Sequence, residues 1–195
     1  MGKLAATARP RLTSLNHSFT LDLVICCRVG AEYALIAMRE MMSQLKLTVN
    51  ENKTRVCKPA EEQFDFLGYT FGRCYSPKTG RAYLGTTPSK KRVQRICAAI
   101  SQETGRNKTL LAQETVIATL NRMMIGWANY FCLGPVSKAY RAVERHARKR
   151  LRQWLCAKHQ LRGQATQQFP VTALHHVLGL VELTTRTSSF PWAKP

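Results

Sequence analysis

Two stretches in the second half of the chain carry apolar residues at helical spacing. In residues 113–131 the apolar positions are Val116, Leu120, Met123, Trp127 and Phe131. In residues 136–159 they are Tyr140, Val143, Ala147, Leu151 and Trp154. Apolar residues three or four positions apart share one face of an α-helix, and Leu133-Gly134-Pro135 between the stretches cannot continue a helix. The pattern therefore predicts a pair of amphipathic helices.

The pattern of the first half predicts short strands around one helix. The strand candidates, which are apolar or alternating runs bounded by turn residues, are 19–27, 47–50, 55–58 and 63–72. Residues 74–84 are typical of a hairpin, because a Ser-Pro-Lys-Thr-Gly turn separates two aromatic-containing runs. Residues 31–46 predict a helix whose apolar face consists of Leu35, Met38, Met42 and Leu45.

At Thr87-Pro88-Ser89 the pattern changes from strand-like to helical and basic. Ser89 is a candidate N-cap for a helix from Lys90 to about Glu103. The patterns together predict an α+β fold in four segments. These are a disordered basic leader (1–18), a partial sheet domain with one helix and a hairpin (19–87), an all-α basic domain (88–162), and a C-terminal extension (163–195) with a polar linker and a short helix at 171–180.

Charge changes the interpretation of the helical half. The chain has 30 Lys and Arg against 11 Asp and Glu, a formal net charge of +19. On the second predicted helix, the side away from the apolar stripe carries Lys138, Arg141, Arg145, Arg148, Lys149 and Arg152. A solvated face usually mixes signs, because like charges one turn apart repel each other. A surface this one-sided predicts a polyanionic partner, and we expect nucleic acid. Further candidate contacts are Lys90, Lys91, Arg92, Arg95 and Arg122.

Several other classes of function lack support in the sequence. No run of about 18 apolar residues exists to span a bilayer, so we expect no membrane partner and a cytoplasmic location. The seven cysteines show no zinc-type spacing, and their odd number favours reduced thiols. His175-His176 is a candidate metal pair, although a core or surface role is favoured. No small-molecule substrate is expected.

Motifs along the chain connect these patterns to a known family. In order they are a strand with Asp22, a helix, Leu45-Lys-Leu47-Thr-Val-Asn50-Glu-Asn-Lys53-Thr54, and Phe64-Asp-Phe66-Leu67-Gly68-Tyr69. In the helical half they are Gly126-Trp127-Ala-Asn129-Tyr130-Phe131, Gly134, Ala139-Tyr140 and Arg150-Leu-Arg-Gln-Trp154. This combination resembles reverse transcriptases encoded by bacterial and organellar group II introns. The resemblance covers roughly residues 19–180, and it implies a partial palm (19–87) followed by an RNA-binding maturase-specific thumb, or X, domain (88–162).

The catalytic strand departs from the family pattern. Where the family has Tyr-Ala-Asp-Asp, this chain has Phe19-Thr20-Leu21-Asp22, so Leu21 replaces the first aspartate of the pair. The fingers and the first palm strand of the family, with another metal-binding aspartate, would lie before residue 1. Asp22 is therefore the remaining catalytic candidate and at most a single metal ligand.

The count of carboxylates agrees with this departure. Two-metal chemistry needs several hard oxygen ligands, and the chain's other aspartate, Asp65, lies in a different strand candidate. We therefore expect no metal site and no cofactor for the chain alone. The resemblance implies Mg²⁺ only if a complete polymerase site were assembled.

Three functions stay open at this point. The first is a non-enzymatic module that binds group II intron RNA, or another structured RNA, and assists splicing. The second is an RNA-directed DNA polymerase that is active only with a separate N-terminal reverse-transcriptase half, against which Leu21 argues. The third is a decayed fragment without a function. In the first case Trp127, Tyr130, Tyr140 and Trp154 are candidates for base stacking, although their place on apolar stripes favours a core role.

Overall fold

The computed structural model describes residues 4–8, 10–14, 17–20, 23–28, 30–76, 79–163 and 165–187. The chain forms two compact units, residues 1–86 and residues 87–195. The first unit contains short strands and one long helix, and the second unit is helical. The mixed class that the sequence predicts is therefore observed, and the predicted change of character near residue 87 coincides with the division between the units.

Six strands of the first unit form two small antiparallel sheets. In chain order they are β1 (Leu4–Ala8), β2 (Pro10–Ser14), β3 (His17–Thr20), β4 (Leu23–Cys27), β5 (Thr48–Val49) and β6 (Arg55–Cys57). The first sheet has the order β4-β1-β6, and the second has the order β3-β2-β5. Each sheet is therefore built around an N-terminal strand that pairs on both sides.

The N-terminal segment differs from the sequence-based expectation. The disordered leader expected at 1–18 is wrong for the described residues, because β1, β2 and the start of β3 lie within it. Backbone pairing supplies the order: five residues of β1 pair with five of β4, and such main-chain hydrogen bonds need no apolar side chains. The strand predicted at 19–27 is divided between two sheets. Leu21 and Asp22 lie outside the described residues.

The helix of the first unit, α1 (Ala31–Gln44), buries the methionines that the sequence placed on its core face. Met38 and Met42 are 2% and 3% exposed, and they contact apolar side chains that include Leu23 and Val49. Leu45, predicted on the same face, is 59% exposed, because α1 ends one residue earlier.

A third sheet consists of β7 (Phe64–Phe66), β8 (Tyr69–Tyr75) and β9 (Ala82–Pro88) in that order. The single strand predicted at 63–72 is wrong, because the chain reverses between β7 and β8. Leu67 and Gly68 both have positive φ, 50° and 86°, which is the combination of a two-residue type I′ turn. The hairpin predicted at 74–84 is confirmed by β8 and β9.

The second unit contains three long helices and several short ones. They are α2 (Lys90–Glu103), α3 (Gln113–Tyr130), α4 (Ser137–Lys158), α5 (Ala165–Gln168), a π-helical turn (Ala173–Val177) and α6 (Leu183–Arg186). The predicted helix pair is confirmed, since α3 and α4 agree with the predicted bounds to within one residue. The apolar spacing and the Gly-Pro stop between the helices were thus sufficient to place both.

Side-chain contacts give the direction of α2 relative to α4. The Ser101 hydroxyl lies 2.9 Å from Nε2 of His146, and Nε of Arg150 donates to the Thr104 hydroxyl at 3.1 Å. A step of three residues along α2 therefore corresponds to a step of four in the same direction along α4. The two helices run parallel, with their C-terminal ends at the same end of the unit.

The helix α3 runs antiparallel to α4. Near the start of α4, the Tyr140 hydroxyl shares its proton between the carbonyl oxygens of Ala128 (2.9 Å) and Phe131 (3.1 Å) at the end of α3. At the other end of α4, the Lys158 ammonium donates to the carbonyl oxygen of Leu111 at 2.7 Å, just before α3 begins. The last carbonyls of a helix have no partner within that helix, so Tyr140 caps α3 from inside the core.

The C-terminal residues belong to the core of the second unit. Leu174, Leu180 and Leu183 are at most 2% exposed and join the same apolar cluster as the long helices. The buried Glu144 carboxylate accepts a 2.7 Å hydrogen bond from the backbone N–H of Thr184. The extension expected at 163–195 is therefore wrong up to Thr187, because this segment completes the core.

This placement can be tested by comparing two leucines. We expect Leu183→Ala to lower the free energy of unfolding by about 2–5 kcal/mol, because it leaves a cavity in the core. The matched control is Leu110→Ala, which removes the same atoms from a side chain that is 95% exposed. Urea denaturation monitored by circular dichroism measures both. Equal, small losses for the two variants would show that the C-terminal segment does not stabilise the unit.

Candidate nucleic-acid interface

The helix α4 presents two chemically different sides. Its buried residues are Tyr140, Val143, Glu144, Ala147, Leu151, Trp154 and Leu155. At about 100° per residue, they occupy one arc of roughly 120°. The six cations predicted on this helix, from Lys138 to Arg152, occupy a separate arc of about 100°. Burial of the first arc therefore fixes the direction in which the second one points.

Five of these six cations face outward. Lys138, Arg141, Arg145 and Lys149 are exposed, and Arg148 is half-buried. None of the ion pairs found among the described residues involves any of the five. We refer to these five residues as the α4 stripe. Over its 12 residues the stripe is about 17 Å long.

The sixth cation, Arg152, has a structural role. Its Nε donates to the carbonyl oxygen of Phe169 at 2.7 Å, and one of its terminal nitrogens is buried, without a hydrogen-bond partner among the described residues. Burial lowers the pKa of Arg152, and the nearby charge of Arg148 lowers it further. Because its guanidinium is used inside the protein, we remove Arg152 from the predicted contacts.

Two other cations near the end of α4 also hold the protein together. Arg150 donates from Nε to the Thr104 hydroxyl, and from one terminal nitrogen to the carbonyl oxygens of Ser101 (3.1 Å) and Thr104 (3.0 Å). It thereby caps the C-terminal end of α2, where a cation is favoured by the helix dipole. Lys158 similarly binds the carbonyl oxygen of Thr109 at 3.0 Å. Charge in the sequence does not distinguish these residues from the stripe.

The acids of the second unit do not neutralise the stripe. Glu103 pairs with Lys108 at 2.7 Å, Glu144 is buried against Thr184, and Glu182 lies 3.7 Å from His175. The remaining described acid of this unit, Glu114, is in the first turn of α3, where the helix dipole favours it. The stripe thus keeps its positive field.

The predicted cations on α2 and α3 are not gathered on a single helix face as those of the α4 stripe are. Lys90, Lys91, Arg92 and Arg95 are exposed, but by helix geometry they spread over roughly 200° of the circumference of α2. Arg122 on α3 is exposed and lies roughly opposite the buried face of that helix. The structure therefore places five of the eleven predicted contacts together in the α4 stripe. The four cations of α2 and Arg122 of α3 lie outside the stripe, on other helices.

The aromatic residues considered for base stacking are mostly part of the core. Tyr140 and Trp154 are 0% and 1% exposed, and Trp127 is half-buried between Phe131 and Tyr140, with ring centroids 5.0 Å and 5.9 Å away. The core role favoured by the sequence is confirmed for Tyr140 and Trp154. Tyr130 differs, since 55% of it is exposed.

The neighbouring contact between α2 and α4 contains a half-buried histidine. His146 lies 2.9 Å from the Ser101 hydroxyl. Burial lowers the pKa of His146, and the charges of Arg150 and Lys149 lower it further. The neutral imidazole is therefore the favoured form in this contact, and it does not add to the positive charge of α4.

Of the two aspartates considered for polymerase chemistry, the described residues contain Asp65. The Asp65 carboxylate accepts a 2.6 Å hydrogen bond from the Thr70 hydroxyl beside the β7–β8 turn, and Asp22 lies outside the described residues. Within the described ranges, no group of three or more His, Cys, Asp or Glu is close enough to hold a metal.

The histidine pair is divided between the core and the surface. His175 is buried, and its Nδ1 donates to the carbonyl oxygen of Leu180 at 2.7 Å, whereas His176 is exposed.

In the described part of the chain, no helix has the length and apolar character needed to cross a membrane.

One comparison with known proteins bears on this interface. Residues 93–169 match the family model of the group II intron maturase-specific domain. The match covers 77 of the 195 residues, and it contains α3, α4 and the whole α4 stripe. No match was found among curated proteins. The match supports a group II intron maturase, and it leaves the palm assignment of the first unit as a prediction.

The distinction between the α4 stripe and the cations that bind backbone carbonyls can be tested by measuring the free energy of unfolding at low salt. We expect Arg145→Gln to raise the free energy of unfolding by about 1 kcal/mol, because it removes repulsion with Arg141, Arg148 and Lys149. We expect Arg150→Gln to lower it by about 1.5–3 kcal/mol, because it removes charge-assisted hydrogen bonds to carbonyls of α2. Thermal denaturation in low and high salt measures both effects.

Salt provides the control for this comparison. Screening shortens the range of repulsion between exposed charges, so the gain from Arg145→Gln should shrink in high salt, whereas the loss from Arg150→Gln should persist. A loss of similar size for both variants would contradict the division.

Proposed function

We propose that the chain is an RNA-binding protein of the group II intron maturase type, and that the α4 stripe binds the phosphate backbone of the intron RNA. One observation carries the proposal: five cations without an ion-pair partner among the described residues share one fixed helix face inside the matched stretch. A polyanion is the partner that such a face favours.

The dimensions of the stripe suit contact with one strand of a duplex. The five cations span about 17 Å of helix. In duplex DNA each strand carries roughly one phosphate per 3.4 Å of axis, so on this scale several phosphates of a duplex strand lie within the length of the stripe. Lysine and arginine side chains are flexible enough to reach such a row, and A-form RNA is recognised mainly through its backbone and 2′-hydroxyl groups.

This mode of binding provides a physical route to assisting splicing. Intron RNA must bring its own phosphates close together in order to fold, and their mutual repulsion opposes this. A protein surface of fixed positive charge lowers that repulsion where it is bound. The chemistry of splicing would remain with the RNA, and the protein would stabilise its folded form. The cytoplasmic location expected from the sequence stays a prediction.

We propose that the first unit corresponds to part of a reverse-transcriptase palm. This assignment rests on the order of its sequence motifs alone. The motif Phe64–Tyr69 forms the β7–β8 hairpin, which is compatible with that proposal. DNA synthesis is not part of the proposed function, because Leu21 stands at the position of a family aspartate and the Asp65 carboxylate accepts a hydrogen bond from the Thr70 hydroxyl.

The proposal can be tested by measuring RNA affinity over a salt series. We expect a group II intron RNA to bind about tenfold or more tightly than a structured RNA of the same size at near-physiological salt. The logarithm of the affinity should fall with the logarithm of the salt concentration, with roughly 0.7–0.9 of slope for each phosphate contact. Equal affinity for both RNAs would refute the maturase assignment and leave a general polyanion surface.

Matched variants locate the surface. Arg145→Gln should weaken binding to every RNA and reduce the salt slope by roughly 0.7–0.9, because one phosphate contact is lost. Arg122→Gln removes the same charge from the exposed side of α3, on a different helix from the stripe, and it should change the slope much less. If the two variants have the same effect, binding depends on net charge and not on the α4 stripe.

A further inference from the structure

A cavity of about 830 Å³ lies in the second unit, beside the C-terminal half of α4. Residues from three segments line it: the end of α2 and the following loop, α4, and the segment after α4. The lining includes Thr104, Arg106, Arg150, Gln153, Trp154 and Gln160. A volume of this size falls within the range that takes small organic ligands, and none of the functions considered above uses this cavity.

The chemistry of the lining selects a ligand rich in hydrogen-bond acceptors. Two guanidinium groups, Arg106 and Arg150, line the cavity together with the amides of Gln153 and Gln160, and the described lining contains no carboxylate. The Trp154 indole also belongs to the lining, and its Nε1 is a buried donor without a partner among the described residues. Guanidinium groups suit phosphate, and amides suit the edges of bases.

One of the two guanidinium groups is held in place before any ligand arrives. Arg150 is fixed by its hydrogen bonds to Ser101 and Thr104, and its other terminal nitrogen donates to Oε1 of Gln153 at 3.2 Å. A donor that is already ordered loses little conformational entropy on binding. The Arg150–Gln153 pair therefore presents a preformed polar wall to the cavity.

The cavity adjoins the α4 stripe. Gln153 follows Lys149 by four residues on α4, so their side chains are neighbours on the helix surface. A strand whose phosphates follow the stripe toward the end of α4 therefore reaches the mouth of the cavity. Sequence-specific RNA recognition commonly uses unpaired nucleotides whose bases are turned out of the helix.

We infer that this cavity binds one unpaired nucleotide of the RNA held by the α4 stripe. Arg106 would contact its phosphate, joined by the one N–H of Arg150 that makes no hydrogen bond to a described residue, and the amides of Gln153 and Gln160 would contact its base. The inference rests on the proposed function for the RNA itself, but it adds a site that recognises an interruption in a duplex.

The test compares a fully paired RNA hairpin with the same hairpin carrying one unpaired nucleotide. We expect the second hairpin to bind about tenfold more tightly, the size of effect given by one or two added hydrogen bonds. Ala157→Phe should abolish this preference, because Ala157 lines the cavity and a phenyl ring would occupy it. Ala157 is exposed, so the larger side chain need not enter the core.

Two controls separate loss of the cavity from general effects. Ala118→Phe introduces the same ring at an exposed position of α3, and it should leave the preference intact. Arg106→Gln should also remove the preference, whereas Lys91→Gln, which removes one exposed charge from α2, should keep it. Both phenylalanine variants should bind the paired hairpin as the native chain does.

The outcomes distinguish this inference from the proposed function. A native chain without the preference, or an Ala157→Phe chain that retains it, overturns the cavity site even if intron RNA is bound specifically. Conversely, equal binding of intron and control RNA refutes the maturase assignment and leaves the hairpin comparison valid. Adenosine monophosphate at a concentration equal to that of the hairpin is a further competitor. If it displaces the hairpin, free nucleotides are the ligands of the cavity, and the inference that the ligand is part of an RNA chain is overturned.

Discussion

The structure of the second unit depends on burial of the apolar side of α4. Tyr140, Val143, Leu151, Trp154 and Leu155 are at most 1% exposed, and burying five such side chains contributes on the order of 8–15 kcal/mol. The cations from Lys138 to Arg152 form six like-charge pairs at i, i+3 or i, i+4, which cost about 1–3 kcal/mol in total. Burial exceeds repulsion several-fold. The helix can therefore hold a one-signed face without a partner, and an anion that neutralises this face adds stability.

The same balance explains why the polar groups of this unit fall into two populations. Arg150, Arg152 and Lys158 bind backbone carbonyls at the ends of other segments, and Glu144 binds the N–H of Thr184. These groups connect α4 to α2, to the loop before α3 and to the C-terminal segment. Among the described residues, the outward cations make no comparable contact, apart from Nε of Arg141 on the Ser137 carbonyl one turn away. The net charge of the chain therefore overestimates the number of cations available to bind RNA, because some of these cations hold the fold together.

Local periodicity determined how much of this architecture could be predicted from the sequence. The helices α3 and α4 were predicted almost to the residue, because a 3.6-residue repeat and a Gly-Pro stop are local signals. The turn at Leu67-Gly68 was missed because a leucine with positive φ is uncommon. The buried C-terminal leucines were missed because Leu174, Leu180 and Leu183 follow no single repeat and are buried only by contact with α4. Likewise, Arg152 resembles its neighbours on the stripe until the carbonyl of Phe169 is seen beside it.

The stripe and the cavity would contribute different things to recognition. Phosphates are the same in every RNA, so flexible cations on an exposed face supply affinity and position but little discrimination. Discrimination requires donors in fixed places, because a wrong ligand then leaves a buried group without a partner. On α4 the fixed donor is Arg150, which is ordered by the end of α2, and Lys149 of the stripe lies one residue before it. The α4 stripe and the polar wall of the cavity thus lie on one rigid helix at fixed positions relative to each other. Burial of the other side of α4 in the core keeps these positions fixed.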